Sequence, residues 1–159
     1  MGKRAVYDLS VETSVPPDQM LAAATDFSGR RPDLWPNVSR KQYHVYWLGD
    51  HSAEVEEGTS PFHHRAKYEW SDQGVVRALT VDASGAGPGS VWEMRVRPRE
   101  NGGSHVDIHV EMEFKGPAGT MARLVTRLSG GGTALFRKWF MQTVHILEAQ
   151  TALPAVGRK

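Results

Sequence analysis

Cysteine is absent from this 159-residue chain. That excludes disulfides, thiolate metal sites and cysteine nucleophiles, and leaves a reducing cytoplasm as the default location. Long apolar runs are missing too: none approaches the roughly 18 residues of a membrane span, so no stable membrane insertion is expected. Lys3 and Arg4 pass directly into an alternating pattern, without the apolar core of an export signal. Charge of one sign is also lacking. Nineteen basic side chains stand against 18 acidic ones, for a formal net charge of +1. No global field therefore draws nucleic acid. The glycine-rich stretch 85–89 has no Lys-Ser/Thr ending, so it is not read as a phosphate-binding loop, and no nucleophile stands paired with a base. Internal repeats and low-complexity tracts are absent as well.

What is present suits one globular domain over residues 1–159, at 40% hydrophobic and 23% charged. The hydrophobic period is 2 for most of the chain and switches to about 3.6 near Gly116. Tyr7, Leu9, Val11 and Val15 alternate with polar residues as a first strand. Pro16, Pro17 and Asp18 then start a short helix, and a second short turn over 30–35 ends at Trp35-Pro36, because proline disfavours helical geometry in the residue before it.

Six further strands form a meander. One face is expected to carry Tyr43, Val45 and Trp47; then Ala53 and Val55; His64, Ala66, Tyr68 and Trp70; Arg77, Leu79, Val81 and Ala83; Trp92, Met94 and Val96; and Val106, Ile108, Val110, Met112 and Phe114. A long helical pattern follows, with Met121, Leu124, Val125 and Leu128 and then Leu135, Phe136, Trp139, Phe140, Val144 and Leu147 as its apolar positions. Gly130, Gly131 and Gly132 interrupt it, predicting either a kink or a break into two helices, with room for a ligand beneath. Arg123, Arg127, Arg137 and Lys138 are read as the water-facing side of that helix rather than as a membrane-facing stripe.

The class is α+β: a seven-stranded antiparallel sheet curved around a long C-terminal helix, with two short helices after strand 1. This strand order, the Trp35-Pro36 position and the glycine-interrupted terminal helix resemble the START-like, or SRPBCC, superfamily with its helix-grip fold, and within it the polyketide cyclase/dehydrase and lipid-transport families. The resemblance implies an internal cavity that binds a hydrophobic or amphipathic small molecule, polyketide- or lipid-like. It leaves open a carrier, a cyclase or dehydratase enzyme, and a stress- or chaperone-linked interaction module. Neither a cofactor nor a metal is expected. The partner is a small molecule, and the protein is a monomer or homodimer.

Trp35, Tyr43, Trp47, Tyr68, Trp70, Arg77, Trp92, Gly131, Leu135 and Trp139 are the expected ligand contacts. Buried Tyr, Trp and Arg side chains need polar partners, which a pocket with convergent polar groups supplies. His64 is the candidate base and Tyr68 the candidate donor, although a one-residue register shift would exchange His63 for His64. His105, Asp107 and His109 have metal-like spacing but alternate with Val106, Ile108 and Val110, so they are expected to face water.

Overall fold

The structure, a computed structural model, describes residues 3–60, 62–84 and 87–152. Gly85 and Ala86, in the glycine-rich stretch, lie outside the described residues. Seven strands form one antiparallel sheet: β1 (Lys3–Thr13), β2 (His44–Leu48), β3 (Ser52–Gly58), β4 (His63–Glu69), β5 (Val75–Ala83), β6 (Val91–Pro98) and β7 (Ser104–Phe114). Their order is β1-β7-β6-β5-β4-β3-β2, so the meander is sequential and β1 closes on β7. Between β1 and β2 lie α1 (Pro17–Ala24), α2 (Arg31–Leu34) and a single 3-10 turn, Arg40–Gln42. After β7 come α3 (Gly116–Leu128) and α4 (Gly132–Ala152).

One sheet face is apolar. Leu9 and Val11 of β1, Val76 of β5, Met94 and Val96 of β6, and Val106, Ile108 and Val110 of β7 are buried against Phe140, Val144 and Leu147 of α4. The expected faces of β1, β3, β4, β6 and β7 all hold. Trp35 is the expected anchor: it is 8% exposed, donates its indole N–H to the Ala23 carbonyl at 3.0 Å, and meets Trp92 edge-on.

Two strands depart from expectation. In β2 the pairing shifts between Val45 and Trp47, so that Trp47 stands opposite Glu54 on the outer face, 47% exposed, with its indole donating to that carboxylate. The extra residue of a bulge reverses every side chain beyond it. In β5 the faces are inverted from Val76 to Thr80: Val76, Ala78 and Thr80 are buried, while Leu79 is 47% exposed. Arg77 consequently lies outside, bound to Glu93 at 2.6 Å and Asp72 at 3.1 Å. A bulge at Val81 then restores the expected faces, with Ala83 opposite His64 and Asp82 opposite Arg65.

The terminal helix is broken, not merely kinked. Gly130 and Gly131 have φ of 92° and 97°, a left-handed backbone that glycine adopts without steric cost. Gly132 is held for a different reason. A Cβ there would fall 2.2 Å from the Tyr7 ring, so any larger residue would have to displace that ring where α4 starts against β1.

Candidate functional site

A cavity of about 420 Å³ lies between the sheet and the helices. It exists because β5 turns Ala78 and Thr80 inward where larger residues would fill the space. Trp35, Trp92, Phe136, Trp139 and Phe140 form aromatic walls, with Ile108 and Val110 of β7 between them. Ala122, Val125, Thr126 and Ser129, on and just after α3, close one side, and Phe62 of the β3–β4 turn and His63 at the start of β4 lie along another.

One corner is polar, and its centre is an ion pair. Glu57 follows Ala53 and Val55 at period 2, which fixes it on the inner face of β3. Arg31 reaches it from α2: Nε donates to Glu57 Oε2 at 2.6 Å, and Nη1 donates to the carbonyls of Ala24 at 3.1 Å and Asp26 at 3.3 Å. Both residues are buried, at 3% and 4% exposure. The guanidinium also lies 4.4 Å from the Phe27 ring centroid and 5.1 Å from that of Tyr68, where the negative ring faces stabilise it. From β4, the Tyr68 hydroxyl donates to Glu57 Oε1.

These contacts set the protonation states. Burial works against the Arg31 charge, but Glu57 outweighs it and keeps the guanidinium charged. Burial likewise pushes the Glu57 carboxyl upward, and the adjacent Arg31 charge and hydrogen bonds more than offset that, holding it below the usual carboxylate range. For Tyr68, burial and the Glu57 charge raise the pKa, so the phenol stays protonated. His64 is half-buried, its free surface turned to this cavity and to a shallow outer cleft at the β4–β5 bulge. Desolvation lowers its pKa, against the attraction of Glu57, so the imidazole is neutral at pH 7.

Stability should therefore weaken as the solution is acidified. Between the depressed folded pKa of His64 and the ordinary value of 6.5, the unfolded chain binds a proton that the folded chain refuses. The contribution of neutral His64 is fully present above about pH 6.5 and is lost below it. Glu57, also depressed, adds a second loss below its ordinary 4.5. Urea midpoints from about pH 8 to about pH 5 should fall less steeply in His64→Gln than in the native chain. Identical profiles would mean that His64 is solvated.

Of the expected contacts, Trp35, Tyr68, Trp92, Leu135 and Trp139 line the cavity together with His64. Tyr43, Trp47, Trp70, Arg77 and Gly131 do not. Tyr43 donates to the Phe27 carbonyl at 2.6 Å, burial having pushed its pKa up to about 12. Trp70 stacks on Phe27, Trp47 and Arg77 are on the outer face, and Gly131 lies in the turn before α4 with open space beside it. His105, Asp107 and His109 face outward, paired among themselves and with Glu12, Asp8 and Glu111. Among the described residues no group of three ligating side chains is arranged for a metal.

No protein-family model matches this chain, and no curated protein matches it by sequence. Its structure is nonetheless similar to solved ones. It matches the Zhui aromatase/cyclase from Streptomyces sp. R1128 with a TM-score of 0.76 at 12% identity, covering 98% of this chain and 100% of that one. Norcoclaurine synthase from Thalictrum flavum, solved with dopamine and hydroxybenzaldehyde, gives 0.68 at 11% identity over 96% and 91% of the two chains. A START superfamily protein from Mycobacterium smegmatis gives 0.67 at 13% identity over 89% and 98%. Likeness at such identity is likeness of fold. The chain has the helix-grip fold that these solved structures share.

Proposed function

We propose that this protein binds a hydrophobic or amphipathic small molecule, polyketide- or lipid-like, in the cavity between sheet and terminal helices. One observation carries the reading. An apolar, aromatic-walled hollow of about 420 Å³ with all its charge gathered in one corner is the form of a small-molecule site. A planar aromatic ligand would lie among Trp35, Trp92 and Trp139 with its polar end toward His64 and Tyr68. Because the Tyr68 O–H donates its hydrogen bond to Glu57, its oxygen is placed to accept a hydrogen bond from the ligand. The interaction-module alternative called for a solid core, and the hollow does not support it.

Anilinonaphthalene sulfonate should bind with micromolar affinity, and Thr80→Phe, which adds a ring on the cavity side of β5, should weaken it at least tenfold while the protein stays folded. Unchanged binding in folded Thr80→Phe would place the probe elsewhere.

A second reading is enzymatic, a cyclase or dehydratase, favoured by the neutral, desolvated His64 beside a fixed carboxylate. An imidazole in that state can take the proton from a carbon next to a ligand carbonyl, forming the enolate that ring closure requires. Given a turned-over substrate, His64→Ala should cost about 10² in kcat with little change in affinity. Tyr68→Phe should cost less, since its proton is already committed to Glu57. A bound polyketide released chemically unchanged would leave only the carrier.

A further inference from the structure

Helix α3 has three faces. At about 100° per residue, Gly119, Ala122 and Thr126 share the side that meets the protein. Met121, Leu124, Val125 and Leu128 form a stripe beside it, and Arg123 and Arg127 fall on the flank beyond. The sequence pattern predicts that the apolar stripe is buried on the sheet. Instead the small residues face inward, and the stripe is open: Leu128 is 78% exposed, Met121 55%, Leu124 47% and Val125 39%. Four apolar side chains grouped on one face thus stand without an apolar neighbour to cover them.

The charge around the stripe indicates what covers it. From Lys115 to Leu147 the chain has no acidic residue, while Lys115, Arg123, Arg127, Arg137 and Lys138 are basic. The rest of the chain is net acidic, so the positive excess is concentrated on α3 and the start of α4. The partner is therefore anionic. It is also undemanding in shape. A helix of 13 residues is about 20 Å long, and a stripe about 10 Å wide on it offers roughly 200 Å², against the roughly 800 Å² each partner contributes to a stable protein interface. A lipid surface needs no such area, because apolar side chains enter it and basic ones meet its headgroups. The position is apt as well: Val125, Thr126 and Ser129 belong both to this segment and to the cavity wall.

We infer that α3 docks on an anionic membrane surface, its apolar stripe entering the headgroup region, so that the cavity behind it opens toward the lipid. Among the described residues no helix is long and apolar enough to cross a membrane, so the attachment is peripheral. The docking rests on α3 itself; only the exchange of an apolar ligand with the bilayer rests on the function proposed above.

Co-sedimentation with vesicles of phosphatidylcholine, alone or mixed with phosphatidylglycerol, tests it. The protein should bind the mixed vesicles at least tenfold more tightly than the neutral ones. Arg123→Gln and Arg127→Gln should each weaken binding about fivefold, and the pair Leu124→Ser, Leu128→Ser tenfold or more with both arginines in place. Leu124 and Leu128 do not line the cavity, so that pair should bind anilinonaphthalene sulfonate normally, which separates failure of docking from failure of the cavity. The inference is overturned if mixed vesicles do not sediment the protein, or if the folded leucine variant sediments as well as the native chain. It is equally overturned if the native protein forms a dimer that the leucine substitutions dissolve, since a second copy would then cover the stripe.

Discussion

Replacing Arg31 by alanine should destabilise the protein by about 3–5 kcal/mol, because it strands the Glu57 carboxylate in an interior that cannot solvate it. Arg31 donates to the buried Glu57 carboxylate, to the buried Ala24 carbonyl and to the part-buried carbonyl of Asp26. The last two hold the end of α1 and the loop after it, so the loss extends beyond the ion pair. In Arg31→Ala the Glu57 pKa should rise, since burial then acts unopposed, and the variant should be least stable at neutral pH relative to the native chain. The paired change Arg31→Met, Glu57→Met should recover much of the loss, as apolar replacements of buried pairs do. Urea denaturation measures all three. A cost below about 1 kcal/mol for Arg31→Ala would mean that water reaches the pair.

Trp35→Ala should cost about 3–5 kcal/mol as well, by a different route. The indole fills the space between α1, β6 and α4: its N–H bonds Ala23, and its rings meet Trp92 and Phe140 at centroid distances of 6.2 and 6.4 Å. Truncation removes that packing and leaves the Ala23 carbonyl without its donor. Because Trp35 also lines the cavity, the variant should accept bulkier aromatic probes than the native protein does. Trp35→Phe should recover most of the packing but not the hydrogen bond. A loss below roughly 1 kcal/mol for the alanine variant would show the indole to be peripheral.

Much of the sheet was legible from alternation alone. Leu9 and Val11, Met94 and Val96, and Val106, Ile108 and Val110 are inward in both pattern and structure, and His64 and Tyr68 came with them because β4 keeps its register. The failures have physical causes. The cavity itself inverts β5: a strand that lines a hollow presents small residues, Ala78 and Thr80, to the inside and leaves Leu79 outside, so a reading that sends the larger side chains inward chooses the wrong face. Trp47 was lost to a bulge that has no local signature in the sequence.

Glu57 was legible in principle, two residues after Val55 on the same strand face, but a carboxylate reads as solvent-facing until its partner is known. That partner, Arg31, lies 26 positions earlier in a single helical turn, and no pattern connects the two. On α3 the periodicity is genuine and the burial is not. The stripe through Met121 and Leu128 is amphipathic, yet its apolar side faces away from the sheet.

The five tryptophans provide the most direct test of the central claim, that an apolar ligand sits within this cavity. Trp35, Trp92 and Trp139 line it, whereas Trp47 lies on the outer face and Trp70 is stacked on Phe27 beyond it. Their indole N–H groups give resolved signals in a two-dimensional nitrogen–proton NMR spectrum, and naphthol, a flat aromatic with one polar end, is a suitable titrant. The account predicts saturable shifts of the Trp35, Trp92 and Trp139 indoles together with the His64 ring, while Trp47 and Trp70 stay in place. Shifts confined to Trp47 or Trp70, with the three lining indoles unmoved at saturation, would contradict it.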